Sequence, residues 1–210
     1  MKKTYSDEQW LWWMDRLAKD DFVIVDDFIS VELYDQIMDF FHQKEANDQL
    51  KKAGIGTQNE FQVKAEIRGD FIYWLDEERD TVLSPFFGIM QELTQNLKRF
   101  CYLSLSGSEF HIAKYPARSY YHRHLDQFNS RTNRQITVLI YLNQNWQKGD
   151  GGELVIYKEG KEILVEPTAK KLLLFKSDVI EHEVLTTVVP RYSLTGWLLH
   201  QPVGVGSILG

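Results

Sequence analysis

The sequence predicts an α+β fold that is mainly β, with N-terminal helices supporting a closed or sandwiched β-structure. Apolar side chains recur at helical intervals through most of the first hundred residues, whereas from residue 108 onward they recur at every second position. The second half also divides into short segments separated by turn residues. Helices followed by many short strands favour a sandwich or barrel over an alternating α/β sheet.

Three helices are predicted within the first hundred residues. They cover residues 7–19, 30–46 and 84–100. Ser6 and Gln9 have the spacing of a capping box, Ser30 is a favourable N-cap, and Pro85 suits the first turn of the third helix. A short strand is expected at 22–25, and the polar, glycine-containing segment 44–60 is expected to be a loop.

Seven further strands are predicted from β-branched and aromatic residues that alternate with polar ones. They cover residues 108–115, 134–142, 153–157, 162–166, 171–176, 182–188 and 191–199. The run GDGG at 149–152 is the clearest turn between them. The charged run 77–80 is expected to be a solvated turn, and Cys101 a core residue.

Length and composition suit one domain of 210 residues, 43% of them hydrophobic, with helices and a loop in 1–60 and a β-rich core in 61–200. The single cysteine excludes an internal disulfide, and no apolar run approaches the roughly 20 residues of a membrane span. The first residues do not resemble a secretory signal, so we expect a cytoplasmic protein. A net charge of −6 argues against general nucleic-acid binding.

The stretch HRHLD at 122–126 is the first sign of chemistry. If it is extended, His122, His124 and Asp126 point to the same side of the strand. A metal site would need another ligand from elsewhere, and His182, which opens a later predicted strand, is the best placed of the other histidines. Two imidazoles and one carboxylate form the facial triad that holds Fe(II) with open coordination positions.

Arg191 follows His182 by nine residues and opens a predicted strand. Alternation places Arg191, Ser193, Thr195 and Trp197 on one face of that strand. A guanidinium directed into the β-structure is costly unless an anion pairs with it, and its planar geometry favours a carboxylate. A dicarboxylate cosubstrate would supply that anion.

Four stretches together resemble the 2-oxoglutarate and Fe(II)-dependent oxygenases, and more narrowly the hypoxia-factor type of prolyl 4-hydroxylase and its bacterial relatives. They are IRGDFIYWLD at 67–76, KYPARSYYHRHLDQF at 114–128, TVLIYLNQNW with DGGELVIY at 137–157, and HEVL with RYSLTGW at 182–197. The resemblance implies a double-stranded β-helix, or jelly-roll, core. It also implies Fe(II), 2-oxoglutarate and O₂ as cofactors, with ascorbate as a candidate reductant for the iron.

The resemblance assigns roles to individual residues. The implied metal ligands are His124, Asp126 and His182, which with Arg191 form the catalytic set. The implied cofactor contacts are Arg191, Tyr141, Tyr115, Thr137 and Trp197. Arg68 and Asp70 would begin a finger that closes over the substrate, and His122 would lie at the mouth of the site.

The implied reaction is hydroxylation of a prolyl residue to trans-4-hydroxyproline in a protein substrate, with elongation factor Tu as the favoured partner. Two alternatives stay open at this point. The first is an oxygenase acting on a free amino acid or another small molecule, and the second is a non-catalytic sensor of 2-oxoglutarate or oxygen. A nucleic-acid demethylase is less favoured because the chain is acidic.

Overall fold

Two antiparallel sheets pack against each other in the computed structural model, which describes residues 4–53, 69–127 and 133–200. The described residues form three α-helices: α1 (Asp7–Asp20), α2 (Val31–Ala46) and α3 (Ser84–Cys101). They also form eleven strands: β1 (Phe22–Val25), β2 (Lys51–Lys52), β3 (Phe71–Trp74), β4 (Leu105–Tyr115), β5 (Tyr121–His124), β6 (Arg134–Tyr141), β7 (Leu154–Lys158), β8 (Lys161–Val165), β9 (Leu172–Lys176), β10 (Glu181–Val184) and β11 (Arg191–His200).

The larger sheet has the strand order β1-β9-β6-β11-β4-β3-β2, and the smaller sheet has the order β5-β10-β7-β8. Neighbouring strands are antiparallel throughout both sheets. This two-sheet, mainly β arrangement with N-terminal helices confirms the fold class expected from the sequence, including the jelly-roll core.

The helices begin where the sequence places their caps. The Ser6 hydroxyl accepts a hydrogen bond from the Gln9 amide, and the Gln9 side chain reciprocates on the Ser6 amide. Ser30 caps α2 in the same way by accepting from the Leu33 amide. Burial against the larger sheet then holds the helices in place, since an isolated helix of this length is marginal in water.

Alternation along β11 divides the interior into two layers. Leu194 and Leu198 lie in the layer between the larger sheet and the helices. Tyr141 and Phe175, from neighbouring strands, pack in the second layer between the two sheets. Arg191 belongs to this second layer, because its guanidinium lies over the Tyr141 ring. The inter-sheet layer is therefore where the functional side chains meet.

The predicted turn at 149–152 is confirmed, and its glycines have a geometric cause. Gly149, Gly151 and Gly152 all have positive φ, a conformation that side chains disfavour. A Cβ on Gly151 would also lie 2.2 Å from the Thr186 carbonyl oxygen, at the bridge that joins Gly151 to Thr187. The turn therefore lies close against the chain that leads to β11.

The charged run at 77–80 is a solvated turn at residues 77–79, as expected, but Asp80 differs because its side chain is buried. Its carboxylate accepts hydrogen bonds from the Tyr73 hydroxyl, the Asp76 amide and the Arg79 guanidinium. These contacts outweigh the effect of burial and hold the pKa of Asp80 below its usual value. The run is a structural ion cluster beside β3.

Other differences concern segment limits. The expected strand at 182–188 ends at Val184, and the expected loop at 44–60 contains the short strand β2. Residues 54–60 of that loop lie outside the described residues. Cys101 is half-buried, and burial raises the pKa of its thiol. None of the described helices is long and apolar enough to cross a lipid bilayer.

Candidate metal centre

His124, Asp126 and His182 come together at the edge of the smaller sheet. His124 ends β5 and stands directly opposite His182 on β10, while Asp126 follows His124 by two residues. Their candidate ligand atoms all lie within 4.8 Å of one another. No other His, Cys, Asp and Glu group of this kind occurs within residues 4–53, 69–127 and 133–200. The register between β5 and β10 therefore produces the cluster that the sequence spacing predicts.

Both imidazoles point their Nε2 atoms at the carboxylate. His124 Nε2 lies 3.4 Å from Asp126 Oδ1, and His182 Nε2 lies 3.7 Å from Asp126 Oδ2. Each Nδ1 faces the carbonyl oxygen two residues earlier, at 2.6 Å for His124 and 3.2 Å for His182. Protons assigned to Nδ1 in this way leave an Nε2 lone pair for a metal.

The charges at this cluster suit a divalent cation. Burial alone would raise the pKa of Asp126, but the adjacent His182 and His124 and the more distant Arg134 lower it well below its usual range. Burial, followed by repulsion from His124, lowers the pKa of His182 to about 4. At neutral pH the site thus combines a carboxylate anion with a neutral His182, and the buried His124 Nε2 has no hydrogen-bond partner among the described residues.

Arg191 forms a second polar centre in the same layer, and it is almost fully buried. Its Nε donates to the Gly152 carbonyl oxygen at 2.9 Å, and the guanidinium lies 4.9 Å from the Tyr115 ring centre. Its Nη2 atom is buried without a hydrogen-bond partner among the described residues. A buried guanidinium that has no carboxylate partner among the described residues fits an anion-binding role.

Tyr141 supplies a second donor beside this guanidinium. Its hydroxyl is buried and, within the described ranges, makes no hydrogen bond. Burial raises the pKa of Tyr141 to about 12, although the Arg191 charge opposes the rise. The phenol is therefore neutral and can donate a proton, so Arg191 and Tyr141 together fit one carboxylate of 2-oxoglutarate.

An aromatic wall extends from this layer to the surface. Trp74, His111 and Thr195 stand in register across three neighbouring strands, with the Trp74 and His111 rings 4.8 Å apart. The Trp197 ring lies 5.5 Å from His111 and is buried, whereas Trp74 is 42% exposed. Trp197 is in register with Thr137, which contacts Asp126, so this wall connects the interior near the metal cluster with the surface at Trp74.

The Arg134 side chain also packs against this wall. Alternation along its strand does not predict this orientation. Its guanidinium carbon lies 3.3 Å from the Trp197 ring centre, and its Nη2 pairs with Glu109 at 2.7 Å. A register shift between Ile136 and Arg134 inserts one extra residue into β6. The bulge turns Arg134 towards Trp197 although the even-numbered positions beyond it face the helices.

The remaining predicted site residues have mixed placements. The Thr137 hydroxyl donates to Asp126 at 2.7 Å, so it contacts a candidate ligand, and its assignment as a cofactor contact stays a prediction. His122 is exposed and packs against the Tyr120 ring. Asp70 is fully buried at the start of β3, so its carboxylate does not face solvent. Arg68 lies outside the described residues.

Comparison with known proteins agrees with this geometry. The sequence model of the 2OG-Fe(II) oxygenase superfamily matches residues 110–199, which include the triad and Arg191. A prolyl 4-hydroxylase of Pseudomonas putida is 30% identical, with a TM-score of 0.83 over 92% of this chain and 100% of that chain. A Trichoplax adhaerens prolyl hydroxylase, solved with a peptide fragment of the hypoxia inducible factor oxygen degradation domain, is 25% identical, with a TM-score of 0.84 over 95% and 94% of the two chains.

The fold and the metal cluster define a 2-oxoglutarate and Fe(II)-dependent dioxygenase, whose cofactors are Fe(II), 2-oxoglutarate and O₂. Within that superfamily, the chain belongs to the prolyl 4-hydroxylase family.

Proposed function

We propose that this dioxygenase hydroxylates a prolyl residue of a protein substrate to trans-4-hydroxyproline. The observation that carries the oxygenase part is the pairing of a His-Asp-His cluster with a buried guanidinium that lacks an ionic partner among the described residues. The choice of proline is supported by the two relatives, both of which are named as prolyl hydroxylases.

In this proposal His124, Asp126 and His182 hold Fe(II), and Arg191 with Tyr141 holds the distal carboxylate of 2-oxoglutarate. With O₂ as the oxidant, the bound pair would insert one oxygen atom into a C–H bond, while the second oxygen atom enters succinate as 2-oxoglutarate loses CO₂. Binding the carboxylate would satisfy two buried donors at once. The cosubstrate is therefore expected to stabilise the protein as well as bind to it.

The aromatic wall is the proposed surface for the prolyl ring. Trp74, His111 and Trp197 present an apolar face that begins in the buried layer and ends in solvent. A prolyl ring on a peptide needs a site that is apolar yet reachable from outside, and the exposed Trp74 ring at the outer end of the wall supports this proposal. Of the residues proposed to contact the substrate, His122 is exposed and accessible to it, whereas the burial of Asp70 argues against a direct contact. The contact proposed for Arg68 falls outside the described residues.

A protein substrate is favoured over a free amino acid because the Trichoplax relative was solved with a peptide bound. Elongation factor Tu is the first candidate to test, on the strength of the resemblance to bacterial hydroxylases of that protein. Both would meet in the cytoplasm, where we expect this chain to act.

The test is to incubate the purified protein with Fe(II), 2-oxoglutarate and elongation factor Tu, and to map modified peptides by mass spectrometry. We expect a gain of one oxygen atom on a prolyl residue, with succinate formed in equal amount. A His182→Ala variant should abolish both products. Succinate formation stimulated by free amino acids but not by proteins would favour the small-molecule alternative. Binding of 2-oxoglutarate without turnover on any candidate would favour a sensor.

A further inference from the structure

Asp126 is the one candidate ligand that lies outside a strand. β5 ends at His124, so Asp126 lacks the strand pairing that holds the two histidines in place. Contacts of its side chain therefore contribute to the orientation of its carboxylate. A carboxylate can coordinate through one oxygen or through both, and coordination through both occupies an extra position on the ion.

Thr137 and Ser177 provide the orienting contacts. Thr137 Oγ1 lies 2.7 Å from Asp126 Oδ2 and 2.8 Å from Ser177 Oγ. Both hydroxyl residues are buried. An ionised carboxylate only accepts hydrogen bonds, so Thr137 donates to Asp126, and Ser177 must then donate to Thr137. The hydrogen bonds therefore run in one direction, from Ser177 to Thr137 and from Thr137 to Asp126.

Backbone contacts hold the two hydroxyl residues in place. Thr137 lies within β6, and the Ser177 amide donates to the Gln135 carbonyl oxygen at 3.1 Å. The Ser177 carbonyl oxygen accepts from the Gln127 amide at 3.1 Å, next to Asp126 itself. The Asp126 carboxylate is therefore attached to the larger sheet, whereas both histidines belong to the smaller one.

We propose that Thr137, supported by Ser177, is a positioning residue that engages Oδ2 of Asp126 and restricts the carboxylate to coordination through Oδ1. This inference rests on the proposed metal site. Its consequence is an additional open position on the ion, which the reaction needs for 2-oxoglutarate and O₂. Oδ1 is the oxygen nearer to His124, at 3.4 Å from its Nε2.

The test compares Thr137→Val, which removes the hydroxyl at constant shape, with Thr137→Ser, which keeps it. Mn(II) alone serves as the probe, and water-proton relaxation counts the water molecules bound directly to it. We expect about three such waters in the wild-type protein and about two in Thr137→Val, because the freed carboxylate binds through both oxygens. Mn(II) affinity should also fall by about tenfold in Thr137→Val. Thr137→Ser should match the wild type.

Two further variants complete the design. Thr94→Val removes a hydroxyl that donates only to the Met90 carbonyl oxygen of its own helix, so it controls for the loss of a threonine hydroxyl. Ser177→Ala leaves the Thr137 hydroxyl in place but removes its donor, and a smaller loss of bound water is expected. This variant decides the matter if Thr137→Val does not fold.

The outcomes separate the two proposals. A Thr137→Val variant that binds Mn(II) with the wild-type number of waters, whatever its affinity, overturns the positioning role and leaves the metal site intact. The same holds for an unchanged Ser177→Ala variant when Thr137→Val does not fold. Failure of the wild-type protein to bind Mn(II) overturns the proposed metal site, and the positioning role with it.

Discussion

Arg191 donates from Nε to the Gly152 carbonyl oxygen at 2.9 Å, and Gly152 has no room for a side chain of its own. A Cβ at this position would lie 2.8 Å from Arg191 Cδ and 3.0 Å from Thr187 Cγ2. Gly152 also has a φ of +77°. The turn at 149–152, which precedes β7, thus holds the guanidinium in place through both a hydrogen bond and close packing.

Gly152→Ala should therefore displace Arg191 and weaken 2-oxoglutarate binding by about tenfold, the equivalent of about 1.4 kcal/mol. Mn(II) affinity should not change, because the triad lies on other elements. Calorimetry with the Mn(II)-loaded protein measures both. Gly160→Ala is a matched control, since Gly160 has a similar φ of +73° but nothing within 4 Å of its Cβ position. Equal effects of the two substitutions would show that backbone strain alone is responsible.

Arg191→Met tests whether the guanidinium is present for an anion and not for stability. Arg191 is a buried charge without an ionic partner among the described residues, and its replacement by an apolar side chain of similar size removes the cost of burying it. We expect the cosubstrate-free variant to be more stable by about 1 kcal/mol, since the loss of the hydrogen bond to Gly152 offsets part of the gain. The melting temperature should rise by about 2–4 °C for each kcal/mol. The additional stabilisation that 2-oxoglutarate gives to the wild type should disappear. A variant that melts lower than the wild type without cosubstrate would contradict this account.

Tyr141→Phe removes only the buried hydroxyl beside Arg191. A hydrogen bond to a charged group contributes about 1.5–3 kcal/mol, so 2-oxoglutarate should bind roughly 10- to 100-fold more weakly. Stability without cosubstrate should not decrease, because the hydroxyl has no partner among the described residues. Tyr34→Phe is the converse control, since its hydroxyl donates to the Leu142 carbonyl oxygen at 3.2 Å. It should lower the melting temperature and leave 2-oxoglutarate affinity unchanged.

The lowered pKa of His182 predicts a pH dependence for the metal-free protein. The folded value is about 4 and the unfolded value 6.5, so well above pH 6.5 neither state is protonated and the group has no effect. As pH falls from 6.5 towards 4, the unfolded state gains a proton that the folded state does not, and stability decreases by about 3 kcal/mol in total.

His182→Gln should remove most of this decrease in urea unfolding measured with a chelator at several pH values. His42→Gln, at an exposed position on α2, should retain it. Identical pH profiles for the two variants would rule out His182 as the responsible group.

Spacing within the chain placed His122, His124 and Asp126 on one side of a strand, and the family resemblance then selected His124 and Asp126 as the expected ligands. His124 and Asp126 are separated by one residue, and the period of a strand places both on one side. His182 was identifiable because few other histidines fall on predicted strands. Arg191 was identifiable because alternation directs it inward, where a charge needs a partner.

Arg134 and Asp80 show where the same reasoning stops. Alternation along β6 assigns Arg134 to the helix side, and only the bulge next to it reverses that side. Asp80 lies in a run of charges that reads as solvent-exposed, yet Tyr73 and Arg79 enclose it. The placement of Arg134 depends on one inserted residue. The placement of Asp80 depends on the way residues 73–80 fold back on themselves, which a run of charged residues does not reveal.

The histidines of the cluster belong to the smaller sheet, whereas Arg191 and Tyr141 belong to the larger one. The end of 2-oxoglutarate that binds the metal and the carboxylate that binds Arg191 would therefore be held by different sheets. The distance between these sheets is set by the apolar side chains packed between them. A substitution among those packed side chains, even one that contacts no metal ligand, would change the distance between the metal cluster and Arg191 and so the fit of a five-carbon acid. Selectivity for the length of the cosubstrate would thus depend on the packing of the whole interior.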